Sequence, residues 1–110
     1  MISDKFFIIC GPNVIESEEH TLKMAHSLKE IFSNYDVDFI FKTSFDKANR
    51  TSLKGTRGAG LEASLPVFDK IKKEFDIPIL TDIHNIEQCK IVANHVDVLQ
   101  IPAFLCRQTD

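Results

Sequence analysis

The alternation of short apolar runs with amphipathic stretches is the feature that most constrains the fold of this 110-residue chain. Four runs rich in β-branched and aromatic residues predict buried strands at 6–9, 37–42, 79–82 and 96–101. The stretches between them carry apolar residues at helical spacing, and Ser17 and Asn85 are candidate N-caps of two of the predicted helices. The order βαβαβαβ therefore indicates an α/β fold, in which a parallel sheet is covered by helices.

Two architectures share this order of elements: an open doubly wound sheet and part of a (β/α)₈ barrel. The first predicted strand runs into Gly11-Pro12-Asn13 rather than a GxGxxG turn, which disfavours a dinucleotide-binding fold. Both architectures bind ligands at the carboxyl ends of their strands. Polar side chains lie within or just beyond the carboxyl end of every predicted strand, and the candidates are Asn13, Lys42, Ser44, Asp82, His84, Gln100 and Arg107.

A basic segment follows the second predicted strand. Residues 42–57 contain five basic residues and one acidic residue, a local charge of +4 in a chain whose net charge is −3. Such a concentration at a strand end favours a site for a multiply charged anion over a merely solvated face. Nucleic acid is disfavoured as the anion, because Phe45 is the only aromatic residue in the segment and offers no stacking platform.

Composition and cysteine usage exclude several other classes of protein. No apolar run approaches the roughly 18 to 20 residues that a membrane span needs, and the N-terminus does not resemble a secretory signal. We therefore expect a cytoplasmic protein with no membrane partner. Cys10, Cys89 and Cys106 are too few and too widely spaced for a disulfide framework, so we expect reduced thiols packed as small apolar groups.

Five segments resemble those of one enzyme family. Residues 42–52, KTSFDKANRTS, are similar to the signature KxSFDKANRSS of the KDO-8-phosphate synthases, which are also called 2-dehydro-3-deoxyphosphooctonate aldolases. Residues 11–17, 57–62, 81–84 and 100–110 resemble further segments of that family. The resemblance extends from Phe6 to Asp110, and the FDKANR string is its most specific part.

The resemblance implies a fold and an activity. The fold would be a (β/α)₈ TIM barrel, with residues 1–110 forming the N-terminal part of a single, incomplete domain that covers about the first four β/α units. The family condenses phosphoenolpyruvate with D-arabinose 5-phosphate and water, releasing phosphate and forming a precursor of the lipopolysaccharide sugar KDO. Full-length members form homo-oligomers. Because a (β/α)₈ barrel needs about 250 residues, we expect the 110-residue chain by itself to be inactive.

The resemblance also implies roles for individual residues. Those that would hold phosphoenolpyruvate are Lys42, Ser44, Lys47, Gln100, Ala103 and Phe104. Those that would hold the aldose phosphate are Asn49, Arg50, Thr51 and Arg107, the last across a subunit boundary. Those that would act in catalysis are Asn13, Lys47, Asp82 and His84.

Asn13 bears on the cofactor. One branch of the family carries a metal-ligating Cys at this position, and the other carries Asn and needs no metal, so we expect no metal and no other cofactor. Two alternatives remain open. The chain could be an inactive truncated product, or it could belong to a related 3-deoxy-heptulosonate 7-phosphate synthase, although the KPR-type motif of those enzymes is absent.

Overall fold

The computed structural model describes residues 4–46 and 60–106. Strands and helices alternate within them in the predicted order. The elements are β1 (Phe7–Cys10), α1 (Glu18–Phe32), β2 (Asp38–Lys42), α2 (Leu61–Phe75), β3 (Ile79–Asp82), α3 (Ile86–Val92) and β4 (Val98–Gln100), followed by a short 3₁₀ helix, Ala103–Leu105.

The four described strands form one parallel sheet whose spatial order is the sequence order, β1-β2-β3-β4. A doubly wound sheet reverses its strand order at a switch point, whereas a (β/α)₈ barrel adds each strand beside the preceding one. The sequential order therefore removes the open-sheet alternative for this part of the chain. None of the helices in the described residues is long and apolar enough to cross a bilayer.

The predicted helix caps are confirmed. Ser17 Oγ accepts a hydrogen bond from the backbone N–H of His20 at 3.1 Å, and Asn85 Oδ1 accepts one from Gln88 N–H at 3.0 Å. Each bond satisfies one of the N–H groups that a helix start leaves without an intrahelical partner. Helix α2 has no side-chain cap, and its N-cap position is occupied by Gly60, whose φ of 88° is a conformation that favours glycine.

The hydrophobic core lies between the helices and one face of the sheet. Because side chains alternate along a strand, Phe41 of β2 and Ile79 of β3, which are register partners, both point into this core. Phe68 and Ile71 of α2 pack there and are fully buried. The core is thus formed by side chains from both the strands and the helices, as expected where helices pack on one face of a sheet.

The other face of the sheet carries the alternate residues of the same strands. Ile40 and Leu80 are buried but lie outside the helix-side core cluster. Phe7 is 45% exposed and Ile9 is 43% exposed, although both are large apolar residues in β1. We call this surface the inner face, and it is the face that would line the inside of a barrel.

Two expectations require correction. The fourth strand is shorter than predicted and starts at Val98, because Val96 N–H donates to Val92 O at 3.2 Å and so continues the turn at the end of α3. The three cysteines are free thiols, as expected, and the half-buried Cys89 packs against the hydrophobic core. The expected apolar packing fails for Cys106, which is exposed.

Candidate active site

The segments that follow β1 and β2 are joined at the carboxyl edge of the sheet. Ile15 N–H donates to Ser44 O at 2.8 Å, and Val14 forms a parallel bridge with Ser44. Gly11 packs so closely on β2 that an added Cβ would lie 1.8 Å from Lys42 O, so only glycine fits there. This packing places Asn13, which is exposed, beside the exit of β2.

Three of the predicted site residues share the inner face at this edge. Lys42 pairs in register with Leu80, and Asp82 lies two residues further along β3 on the same face. Asp82 in turn pairs with Gln100 of β4, and the ladder extends one residue further because Ile83 N–H donates to Gln100 O at 3.0 Å. A cationic, a carboxylate and an amide side chain are therefore brought to one surface.

Asp82 and His84 form a close, largely buried pair. His84 Nε2 lies 3.0 Å from Asp82 Oδ2, and the two side chains are only 13% and 12% exposed. The other carboxylate oxygen, Asp82 Oδ1, is buried and has no hydrogen-bond partner among the described residues. A buried polar atom without a partner is costly, so an unsatisfied carboxylate oxygen at a strand end indicates a place for a donor from a ligand.

Two further residues hold His84, and the sequence reasoning assigned neither of them a role in the site. The ring of Phe45, which is buried, lies against the imidazole with 5.2 Å between ring centroids. Gln88 Oε1 accepts a hydrogen bond from His84 N–H at 2.7 Å. The signal available for Gln88 was its place three residues after the N-cap Asn85, the position from which Gln or Glu side chains reach back over a helix start.

Thr43 and Thr81 lie beneath the site, on the side of the sheet that faces the helices. Both are fully buried, and neither hydroxyl has a hydrogen-bond partner within the part of the chain that the structure describes. Thr43 directly precedes Ser44, and Thr81 directly precedes Asp82. Buried polar groups therefore cluster at the carboxyl ends of β2 and β3 on both faces of the sheet.

With this geometry established, comparisons with known proteins define the family. The sequence model of the DAHP synthetase I family matches residues 3–110, nearly the whole chain. The chain belongs to the DAHP synthetase I family. Its fold is therefore that of the α/β, TIM-barrel enzymes, in agreement with the parallel sheet and its sequential strand order.

Within the DAHP synthetase I family, the chain is similar to proteins that carry one name. It is 60% identical over 103 residues to the 2-dehydro-3-deoxyphosphooctonate aldolase of Mesorhizobium japonicum. The aligned residues make up 94% of this chain and 37% of that protein. It is 53% identical over 109 residues to 2-dehydro-3-deoxyphosphooctonate aldolase 2 of Arabidopsis thaliana, and the aligned residues make up 99% of this chain and 38% of that protein. It is 55% identical over 108 residues to the 2-dehydro-3-deoxyphosphooctonate aldolase of Pisum sativum, with 98% of this chain and 37% of that protein aligned. The resemblance noted from the sequence motifs is confirmed, and the chain spans little more than a third of the length of these curated relatives.

Several of the predicted site residues of this DAHP synthetase I family member fall outside the described ranges. These are Lys47, Asn49, Arg50, Thr51 and Arg107, and the side chain of Phe104 is also outside the description. Ala103 is described and starts the 3₁₀ helix that follows β4. The residues that the structure brings together at the sheet edge are therefore Lys42, Asp82, His84 and Gln100, with Ser44 buried beside them.

An open groove of about 800 Å³ adjoins this site, between the start of α3 and the segment after β4. His84 lies on its wall, and most of the other wall residues are apolar, including Ile86, Ile101 and Leu105. Among the predicted site residues that the structure describes, His84 is the only one that lines the groove. The polar candidate site and the groove are therefore neighbouring features that meet at His84.

Residues 4–46 and 60–106 contain no group of three or more His, Cys, Asp or Glu side chains arranged to hold a metal ion. Asp82 and His84 alone give two potential donors, whereas protein sites for transition metals use three or four protein ligands.

Proposed function

We propose that this chain is the N-terminal portion of a KDO-8-phosphate synthase, covering about the first four β/α units of a single TIM-barrel domain. The complete protein would condense phosphoenolpyruvate with D-arabinose 5-phosphate and water to give KDO 8-phosphate and phosphate. The similarity to proteins named 2-dehydro-3-deoxyphosphooctonate aldolase supports this proposal. The observation that carries the proposal is the buried Asp82–His84 pair, which lies on the same face of the sheet as Lys42 and Gln100. Asp82 Oδ1 has no hydrogen-bond partner among the described residues.

The phosphoenolpyruvate site in this proposal lies at the exits of β2 and β4. Lys42 is half-buried on the inner face, where its charge is less screened by water and its attraction to an anion is stronger than on an open surface. Gln100 supplies amide hydrogen-bonding groups on the same face. The remaining phosphoenolpyruvate contacts in the proposal are Ser44, Lys47, Ala103 and Phe104.

The aldose phosphate would bind beside it. Asn49, Arg50 and Thr51 are consecutive donors for the phosphate group, and Arg107 would add a forked guanidinium donor. Asp82 Oδ1 is an acceptor suited to a sugar hydroxyl, because a hydroxyl donates the hydrogen bond that this oxygen lacks.

In the chemical step the C3 carbon of phosphoenolpyruvate bonds to the aldehyde carbon of the aldose, whose C=O π bond breaks, so the aldehyde oxygen gains negative charge and must take up a proton. Water adds at C2 of phosphoenolpyruvate and gives up a proton, and phosphate leaves from that carbon. In this proposal His84 would supply or shuttle the proton that the aldehyde oxygen takes up, and Asp82, 3.0 Å from its Nε2, would hold the imidazole in a fixed orientation. Lys47 and Asn13 complete the proposed catalytic set, as a cation and an amide that would stabilise developing charge. Water exclusion by the buried Phe45 ring would strengthen these interactions.

A direct assay tests the proposal. The full-length protein that contains this chain would be supplied with phosphoenolpyruvate and arabinose 5-phosphate, and release of inorganic phosphate would be measured together with formation of the eight-carbon sugar acid. We expect equal amounts of both products. Phosphate release without the sugar acid, or no turnover at all, would refute the proposed activity and favour the inactive-product alternative.

The family description gives a second candidate reaction, because it names the seven-carbon DAHP synthetases. Erythrose 4-phosphate is the discriminating substrate for that reaction. We expect the full-length protein to use arabinose 5-phosphate with a much higher kcat/KM than erythrose 4-phosphate. The reverse preference would assign the chain to the seven-carbon reaction instead.

We also propose that the reaction needs no metal ion, because an amide at position 13 is a much weaker metal ligand than a cysteine thiolate. The measurement is the rate of condensation before and after exhaustive treatment with a chelator. We expect the two rates to agree within experimental error. A loss of activity that a divalent cation restores would show that Asn13 does not mark a metal-independent enzyme.

A further inference from the structure

The backbone of His84 lies just beyond the hydrogen-bonded part of the sheet. Strand β3 ends at Asp82, and the last ladder bond on that side is donated by Ile83 N–H to Gln100 O at 3.0 Å. The next N–H group, that of His84, is taken up by the side chain of Gln88 at 2.7 Å rather than by a neighbouring strand. The position of His84 therefore depends on a side chain of α3.

The contact has a defined polarity. A backbone N–H can only donate, so the oxygen of the Gln88 amide, and not its nitrogen, faces His84. The backbone of Gln88 makes a separate bond, in which its N–H donates to Asn85 Oδ1 at 3.0 Å at the start of α3. The chain from Ile83 to Gln88 thus forms a closed turn in which α3 anchors the end of β3.

This anchor acts on the direction of the imidazole. Fixing the His84 backbone on the Gln88 side, with Ile83 fixed by Gln100, sets the direction of the His84 Cα–Cβ bond. The ring then reaches back to Asp82 Oδ2 at 3.0 Å and lies against Phe45. A proton-transferring group must be held close to its productive geometry, and a misplacement of about 1 Å can cost on the order of 100-fold in rate.

We propose that Gln88 is a positioning residue of the active site, which holds the His84 backbone so that its imidazole meets Asp82 and the reacting aldose. This proposal rests on the proposed function, because only the proposed function assigns His84 a role in proton transfer. Gln88 does not contact the imidazole itself through any described hydrogen bond, and its effect passes through the His84 peptide.

Two substitutions of Gln88 in the full-length protein distinguish the effect of its acceptor oxygen from the effect of its side-chain size. Gln88→Met keeps the length of the side chain and removes the acceptor oxygen, whereas Gln88→Glu keeps an acceptor oxygen. We expect Gln88→Met to lower kcat by about 10- to 100-fold, with KM for both substrates changed by less than about threefold. We expect Gln88→Glu to restore most of the lost kcat.

A matched control distinguishes positioning of His84 from stability of α3. Asn85→Ala removes the cap bond to Gln88 N–H but keeps Gln88 Oε1, the oxygen that accepts from His84 N–H. Both Asn85→Ala and Gln88→Met should lower Tm by a few degrees, since each removes one hydrogen bond at the helix start. Only Gln88→Met should lower kcat strongly.

The outcomes are separable. An inactive wild-type protein would refute the proposed function itself and not the inference about Gln88. With an active wild-type protein, an unchanged kcat in Gln88→Met would overturn the inference. Equal losses of kcat in Asn85→Ala and Gln88→Met, or a Gln88→Glu variant as slow as Gln88→Met, would also overturn it.

Discussion

The two faces of the sheet differ in what covers them. On the face toward the helices, Phe41 and Ile79 are completely buried in the core cluster that also contains Phe68 of α2. On the inner face, Phe7 and Ile9 of β1 remain nearly half exposed, whereas Ile40 of β2 and Leu80 of β3 are buried. Polar side chains occupy the carboxyl edge of this face. The helix-covered face is thus a hydrophobic core throughout, whereas the inner face is buried at β2 and β3 and about half exposed at β1.

Adjacent residues of one strand contribute to different faces of the sheet. Phe41 and Lys42 are adjacent in β2, as are Thr81 and Asp82 in β3, yet the first of each pair faces the helices and the second faces the candidate site. Because side chains alternate with a period of two, stability and chemistry are carried by neighbouring residues with little overlap. Substitutions on the two faces should therefore have separable effects on unfolding and on activity.

The largest effect on unfolding is expected on the helix-covered face. Phe68 is fully buried in the core, so Phe68→Ala should lower the free energy of unfolding by about 3 to 5 kcal/mol through lost burial and the cavity left behind. Urea denaturation followed by circular dichroism would measure this loss. As a control, Ile31→Ala on the exposed side of α1 should change the value by less than about 1 kcal/mol. Similar losses in the two variants would mean that the helix layer is not the core.

The next effect is expected on the inner face, in activity rather than in stability. Lys42→Met keeps most of the apolar stem and removes the charge, and it should lower kcat/KM for phosphoenolpyruvate by about 100-fold or more in the full-length protein. Its free energy of unfolding should change by less than about 1 kcal/mol. Lys73→Met on the exposed side of α2 is the matched control and should leave both quantities unchanged. A Lys42→Met enzyme with normal kinetics would remove Lys42 from the substrate site.

The helix-covered face was largely predictable from the sequence because its signals are local. The caps Ser17 and Asn85 and the apolar stripe of α2 depend on residues within one or two helical turns. The start of β4 was mispredicted, because Val96 is apolar and β-branched but its N–H is used by the end of α3. Such competition between two elements for one residue does not show in the apolar pattern.

The candidate site was predictable only as a set of residues. The strand-end rule selected Lys42, Asp82, His84 and Gln100, because parallel strands present their carboxyl ends at one edge. The unsatisfied Asp82 Oδ1 and the bond from His84 to Gln88 depend on how α3 packs after β3, so the sequence pattern could not reveal them.

A smaller effect, on the free energy of unfolding rather than on activity, is expected at the opposite, amino-terminal edge of the sheet. Asp97 accepts hydrogen bonds from Ile79 N–H at 2.9 Å and from Lys72 Nζ at 3.0 Å. Asp97→Ala should lower the free energy of unfolding by about 1 to 3 kcal/mol, because it leaves the Ile79 N–H unsatisfied. Asp97→Asn keeps an oxygen acceptor and should cost less than about 1 kcal/mol.

The control for Asp97 is Asp36, whose ion pair with Lys5 is well exposed. Asp36→Ala should change the free energy of unfolding by less than about 0.5 kcal/mol, because water and salt screen exposed pairs. Thermal or urea unfolding of the three variants gives the comparison, and kcat should be the same in all of them. Equal costs for Asp97→Ala and Asp97→Asn would place the effect in the ion pair with Lys72 rather than in the bond to Ile79.

The smallest expected difference concerns whether the inner face stays uncovered in the longer protein. Ile9 on that face and Ile31 on the outer side of α1 are similarly exposed, 43% and 51%. If the remaining strands of a barrel cover the inner face, Ile9→Ser in the full-length protein should lower the free energy of unfolding by about 1 to 2 kcal/mol, because part of a buried side chain is lost. Ile31→Ser should change it by less than about 0.5 kcal/mol, since α1 stays at the surface of a barrel. Urea denaturation of both variants measures the difference. Equal small changes would mean that the inner face near Ile9 is solvated even in the complete protein, and the proposed barrel would then have to close in another way.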